Sequence, residues 1–475
     1  MTPPSHGTGS GNPGALSKGW IVVSLRREVE QVARLSAPVA LAQLGLMMIG
    51  VVDTLMLSRV GVTALAAGAL GNAWQWTALS LGLGLVMGID PLISQAHGRG
   101  DGPAAALALQ RGIVLALLAS VPVMLFVAFS ERGLLALGQD ATVAALAGRY
   151  NRFKLPTIPC FLVYSALRQY LQGRGQMAPA TWVMWISNGV HALLNWMLIF
   201  GHLGMPALGV QGAAIASSIS TALLVVLLVV WIVMLRLHEG AWRPWSAESF
   251  SAAGLLQTVR LGLPVGLQIS LESSAFALST TMAGWLGPAA LASHQVVLNL
   301  SSLSFMVPLG ISQGASVRVG NLIGAGDATG MRRAAQVSIG LGAFVMLFSA
   351  VAFSALRFEL PELYTDDASV LASAAQILPL AAAFQLFDGT QVVAGGVLRG
   401  MGRPDAAAVV NLIGYYVVAL PCAYAFGFVW GHGLVGIWTS LALGLTLVAL
   451  ALMVWAHRTA QRPLAALRVQ ARADA

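Results

Sequence analysis

The sequence predicts an all-α integral membrane protein: twelve transmembrane helices in two six-helix lobes related by a parallel internal repeat. Three observations carry this. Hydrophobic residues make up 57% of 475 positions and charged residues only 9%, against about 25% charged in a soluble domain. The apolar runs reach the roughly 20 residues a helix needs to cross a bilayer, and none alternates with the period of two of a β-barrel. Residues 35–114 align without a gap on residues 261–340, at a constant offset of 226, with 19 identities. That is about twice the match expected by chance for such a composition.

The elements follow in order. Residues 1–25 are expected to be a disordered cytoplasmic N-terminus, Gly/Ser/Pro-rich up to residue 19, with no cleavable signal peptide ahead of the first span. Spans at about 35–58, 69–95, 107–129, 142–171, 177–200 and 210–235 make an N-terminal lobe, 26–235. A cytoplasmic connector, 236–256, carries Trp242 and Trp245 as interfacial anchors. Spans at about 257–286, 290–316, 334–356, 370–398, 405–427 and 434–457 make the C-terminal lobe, 257–457, and 458–475 form a cytoplasmic tail. Six spans per half is an even number, so both halves face the same way, and the substrate site belongs where they meet.

The net charge of +8 does not indicate nucleic acid. With the N-terminus inside, the cytoplasmic ends and loops hold 20 of the 26 Lys and Arg, and no basic run is dense enough to track phosphates. Both termini are therefore cytoplasmic. Cys160 and Cys422 both fall within spans, which argues against a disulfide or thiolate metal site. Gly431–Gly436 reads GHGLVG, a formal dinucleotide fingerprint, but it joins two apolar helices and reads as a tight turn. GRGD at Gly98–Asp101 recurs as GAGD at Gly324–Asp327, and LQGRG at Leu171–Gly175 recurs as LRGMG at Leu398–Gly402. The two copies of the first segment read as helix-terminating turns. No nucleophile or metal-ligand set points to an enzyme.

Four carboxylates lie inside the spans: Asp53, Asp90, Glu272 and Asp388. An ionised residue at mid-helix costs about 2.5–3.5 kcal/mol even on a lenient insertion scale, so such residues line cavities or bind ions unless a neighbouring helix satisfies them. Gln268 shares a helical face with Glu272, and Phe384 and Gln391 share one with Asp388. Asn188, His191 and Asn195 form a third polar stripe, on the fifth span. No Lys or Arg within the spans is evident as a partner for these acids. An acidic, hydrated cavity that selects cations is the expectation. Asp90 precedes Pro91 and reads as a cap or bend. Under the repeat Asp53 aligns with Ser279 and Glu272 with Leu46, so the acids do not follow the symmetry of the scaffold. Trp74, Trp76, Phe276 and Phe384 are candidate linings of the substrate path.

The duplicated layout, with VVDTLMLSRVG at Val51–Gly61, LNWMLIFG at Leu194–Gly201, LQISLES at Leu267–Ser273 and FQLFDGTQVVAGGVLRGMG at Phe384–Gly402, resembles the multidrug and toxin extrusion (MATE) family. The glutamate of the seventh span with the aspartate of the tenth is similar to its NorM branch. The resemblance implies an antiporter, driven by Na⁺ or H⁺, that exports organic cations, drugs and amphipathic toxins from a bacterial inner membrane. It implies a coupling-cation site at Glu272 and Asp388, with Asp53 facing the cavity of the first lobe and Asn195 near it. Partners would be small cationic or amphipathic molecules and the lipid bilayer; there would be no cofactor beyond the coupling ion, and the unit would be a monomer. The family places an asparagine where this chain has His191 and a tyrosine where it has Phe384. A lipid-linked oligosaccharide flippase is the alternative, and would need Arg or Lys within the cavity.

Overall fold

The structure, a computed structural model, describes residues 13–469. One bundle consists of α1 Pro13–Ser58, α2 Val62–Met87, α3 Asp90–Gly98, α4 Gly102–Ala128, α5 Ser130–Ala136, α6 Ala141–Lys154, α7 Thr157–Gly173, α8 Ala178–Phe200 and α9 Val210–Met234. The other consists of α10 Ala252–Trp285, α11 Pro288–Ala325, α12 Ala328–Ala355, α13 Glu359–Glu362, α14 Ala368–Gly400, α15 Asp405–Leu412, α16 Leu420–Tyr424 and α17 Gly433–Ala460. A π-helical turn at Ile413–Ala419 joins α15 to α16, and a second at Ala425–Val429 continues the same span.

Among the described residues, eleven helices are long and apolar enough to cross a membrane. The expected fourth span, 142–171, is the twelfth crossing, but it is two helices. Pro156 lies between α6 and α7; it has no N–H to donate, and the chain turns there. The second expected span also breaks, at Gly88–Ile89, into α2 and α3. The N-terminal expectation needs a correction too. Residues 1–12 lie outside the described residues, but the chain is helical from Pro13 rather than disordered to residue 25. Extending an existing helix fixes one residue per hydrogen bond, so α1 continues well beyond its membrane-crossing part.

The repeated GRGD and GAGD segments do the same work twice. Gly100 (φ +73°) and Gly326 (φ +82°) adopt the left-handed conformation that ends a helix. Asp101 and Asp327 then cap the next one, accepting from the Ala104 and Gly330 amides at 3.0 and 2.7 Å. In the GHGLVG segment Gly431 and Gly433 also have positive φ, as a turn requires. Between the lobes, the connector is tied to the first bundle: Tyr170 donates to the Ala241 carbonyl at 2.6 Å and Gln110 to the Arg243 carbonyl at 2.9 Å.

The lobes meet backbone to backbone, and the contacts come in repeat-related pairs. Gly84 on α2 lies against Gly266 on α10, while Gly310 on α11 lies against Ala40 on α1. Gly88 meets Gly262, and Gly314 meets Ser36; Gly98 meets Asn321, and Gly324 meets Gln95. Each second contact is the first shifted by the offset of 226. A Cβ on any of these glycines would overlap the facing residue. Residues related by the repeat touch each other on the axis: Ser316 donates to Asp90 at 2.7 Å, and Gly320 abuts Ser94.

All these contacts lie at one end of the molecule, beside Glu28 of α1 and the residues that follow α17. There Arg318 on α11 forks onto Glu28 on α1 at 2.7 and 2.9 Å. The residues after α17 fold back over the same end. Leu467 is buried, Gln95 donates to the Leu467 and Gly400 carbonyls at 3.1 and 3.2 Å, and the Val469 amide donates to Gln95 at 2.7 Å. Toward the opposite end Gly50 faces open space, and Met48 and Leu55 are exposed. The close glycine contacts between the lobes are thus gathered at one end, the closed base, and the end away from it is the mouth.

The closed base makes a prediction. Ser80 on α2 and Ser270 on α10 place their hydroxyl oxygens 2.9 Å apart across the lobe interface. With Cys160 and Cys422 replaced by alanine, the pair Ser80→Cys and Ser270→Cys should cross-link under mild oxidation. The oxidised protein should transport at less than a tenth of the reduced rate, and reductant should restore it. Full transport by the cross-linked protein would mean that the lobes do not separate here.

Candidate functional site

A cavity of about 470 Å³ opens between the lobes. The first lobe contributes Gln43, Met47, Trp76 and Phe161, and the second contributes Gln268, Glu272 and Phe276. Its deepest part, near the closed base, has Arg168 from α7 and Arg399 from α14. A second pocket of about 320 Å³ shares Glu272 and Phe276, and adds Phe384, Asp388 and Asn299 inside the second lobe. Trp74 belongs to neither. It stacks on Phe126, with ring centres 4.7 Å apart, and donates to the Phe126 carbonyl at 3.1 Å.

Glu272, on α10, is half-buried and faces both pockets. Its Oε1 accepts from Gln391 at 3.2 Å and from the Tyr415 hydroxyl at 3.4 Å. The same Gln391 amide donates to Asp388 at 3.3 Å, so one side chain bridges the two acids. The Gln391 carbonyl oxygen is buried without a partner. Two carboxylates, an unused amide oxygen and a phenol form a set of hard oxygen donors suited to a proton or a small cation. Gln268, one turn from Glu272, lines the central cavity. Phe384 is buried against Phe276 and Trp438, with ring centres 5.9 and 5.6 Å apart. Tyr415, which sequence reasoning missed, supplies the phenol that Phe384 lacks. The pair Tyr415-Tyr416 in mid-span was its only signal, and the π-helical turn that orients it was not legible.

Asp53 does not face the open cavity, contrary to expectation. It is 3% exposed, inside the first lobe, because α8 and α9 close over it. His191 Nε2 stands 2.8 Å from Oδ1, Asn195 donates to the same oxygen at 2.7 Å, and Ser217 donates to Oδ2 at 3.5 Å. His191 Nδ1 lies 3.2 Å from the Ser220 hydroxyl, whose own hydrogen goes to the Ala216 carbonyl at 2.7 Å. That bond assigns the Nδ1 proton to the histidine. Asn195 Nδ2 also lies 3.1 Å from Nε2, so one amide touches both members of the pair. Asn188, on the same stripe, does not join this cluster. It donates to the Gly45 and Met184 carbonyls at 2.9 and 3.0 Å and ties α8 to α1.

The expected lack of cationic partners is also corrected. Asp90 is 2% exposed, at the α2–α3 break, but its carboxylate spans the lobe interface: Oδ2 accepts from Ser316 and pairs with Arg399 at 3.3 Å. Lys154, inside the expected fourth span, is buried and donates to Asn72 at 2.6 Å and to Tyr150 at 3.3 Å. Arg168 and Arg399 sit inside the cavity because the closed base seals the helix ends that carry them away from water.

The sequence profile of the MatE family matches residues 38–197 and 264–425. The chain belongs to the MatE family. It is 34% identical over 431 residues to a probable multidrug resistance protein NorM of Rhizobium meliloti, covering 88% of this chain and 91% of that one. It is 32% identical over 422 residues to multidrug and toxin extrusion protein 1 of Danio rerio, covering 89% and 70%. The crystal structure of a eukaryotic MATE transporter, AtDTX14, shares the fold, with a TM-score of 0.85 at 23% identity over 94% of this chain and all of that one. An outward-facing MATE structure superposes with a TM-score of 0.83 at 18% identity, covering 93% and 97%. The MatE chain described here is thus a multi-pass membrane transporter and not an enzyme.

The buried pair yields a prediction. Arg399→Met leaves Asp90 with one hydroxyl in a largely dry site, and breaking such a pair costs about 3 kcal/mol. Thermal unfolding in detergent should fall for Arg399→Met and for Asp90→Asn. The double variant should lose less than the sum of the two, because it leaves fewer unmatched charges. Additive losses would mean that the two side chains are not coupled.

Proposed function

We propose that this transporter exports cationic and amphipathic small molecules from the cytoplasm of a bacterium in exchange for inward-moving H⁺ or Na⁺. The observation that carries this is the placement of two secluded acid clusters beside one two-lobed cavity. The names of its relatives, multidrug resistance and multidrug and toxin extrusion proteins, support the substrate class. With both termini cytoplasmic, the closed base faces the cytoplasm and the mouth faces outward.

Competition is the mechanism. A drug cation held near Glu272 gains from the negative charge there. A proton or Na⁺ entering the Glu272–Asp388–Gln391–Tyr415 cluster neutralises that charge and releases the drug toward the mouth. The Asp53–His191 pair holds a proton in the first lobe, so its protonation changes the charge buried under α8 and α9. The ion-loaded lobes then rock about the axis and reopen the base. A flippase for lipid-linked oligosaccharides is less favoured: a pyrophosphate needs several free cations, and Arg399 is already held by Asp90.

In proteoliposomes, a pH gradient and a Na⁺ gradient imposed separately should each be tested for driving efflux of a fluorescent cation. Asp53→Asn should fold normally and lose at least tenfold in gradient-driven efflux. Glu272→Gln and Asp388→Asn should each do the same, and the double variant should be no worse than either, because groups acting as one site are not additive. Wild-type efflux in Asp53→Asn would remove the first-lobe cluster from the scheme. Multiplying losses in the double variant would separate the second-lobe acids.

A further inference from the structure

Arg168 has no role in this scheme, and its surroundings are unusual. It is 5% exposed, on the part of α7 that reaches the cavity floor. Its Nε is buried without a hydrogen-bond partner. Asp90 attracts it through space, yet no hydrogen bond joins them. Asp90 instead directs Oδ2 to Ser316 and Arg399 on the other lobe, and its Oδ1 is unpartnered too. Tyr164, one turn away, uses its hydroxyl on the Ala180 carbonyl. Among the residues lining the cavity only Glu272, Arg168 and Arg399 carry charge. At the floor, two guanidiniums face one carboxylate, which leaves one positive charge uncompensated.

A buried, unpaired guanidinium is costly, and its planar fork is made for a carboxylate. At the other pole of the cavity stands Glu272. Gln391, which holds Glu272, lies eight residues before Arg399 on α14, or about 12 Å along a helix. The cavity is therefore dipolar: positive at the base, negative toward the second-lobe acids. We propose that Arg168 is an anion-receiving site, and that the transporter takes zwitterionic amphiphiles with a carboxylate on Arg168 and the cationic part toward Glu272. This deepens the reading of the cavity as the drug site and rests on it.

The test compares rhodamine B with its ethyl ester. The two share the same xanthene cation and differ in one carboxylate, which is ionised at pH 7.5. Binding to the full-length protein in nanodiscs is read by fluorescence polarisation, without any gradient. Wild type should prefer the acid over the ester by roughly tenfold, as one charge-assisted pair supplies. Arg168→Gln should bring that ratio to within about twofold of one. Arg168→Lys, which keeps the charge but not the fork, should fall between, and covers the case in which the glutamine variant does not fold. An unchanged ratio in the folded variants, or no preference in wild type, overturns the proposal. Failure of both dyes to bind wild type would instead sink the cavity reading, and this proposal with it. Loss of gradient coupling with the acid preference intact would leave this proposal standing and fault only the antiport scheme.

Discussion

Glycine-to-backbone contact along the pseudo-twofold axis is the constraint on which the rest of the structure depends. α2 can lie on α10, and α11 on α1, only because Gly84, Gly88, Gly310 and Gly314 carry no side chain. Contacts this close have little tolerance, so the base is either shut or parted, and it is well suited to a two-state rocking motion. Closure there turns helix ends into a cavity floor. Arg168 and Arg399 become interior groups, and Asp90 is committed to the opposite lobe.

The scaffold is symmetric and the chemistry is not. The repeat partner of Asp53 is Ser279 and that of Glu272 is Leu46. Arg168 and Arg399 align with Gly395 and Gln172 at the offset of 227 that relates the later motifs. One lobe thus holds a carboxylate–imidazole pair, the other holds two carboxylates joined by an amide, and the floor holds an excess of positive charge. A duplicated frame supplies two lobes of matching architecture. Departure from duplication gives each lobe its own set of polar groups.

Burial sets what each acid can do. Asp53, with three polar neighbours, is enclosed within the first lobe and does not line the open cavity. Glu272 stands at the junction of two pockets, so its carboxylate faces both. Asp90 is tied by a cation and a hydroxyl from the other lobe, so it belongs to the lobe interface. Three residues of like charge in similar helices thus serve three ends, separated by what the neighbouring helices bring to them.

The sequence by itself determined the class, the number of crossings and the repeat, because lipid exposure and helix length act on composition directly. It also marked Glu272, Asp388 and Gln391, since helical spacing puts Asp388 and Gln391 on one face and Gln268 beside Glu272. What it could not supply was partnership across helices. That Asp53 meets His191 while Asn188 turns to Gly45, that Asp90 pairs with Arg399, and that Tyr415 reaches Glu272 all depend on which helix faces which. Only the tertiary structure decided these, because a charge near a helix end is exposed or buried according to how the lobes close over it, and closure is a property of the packed pair.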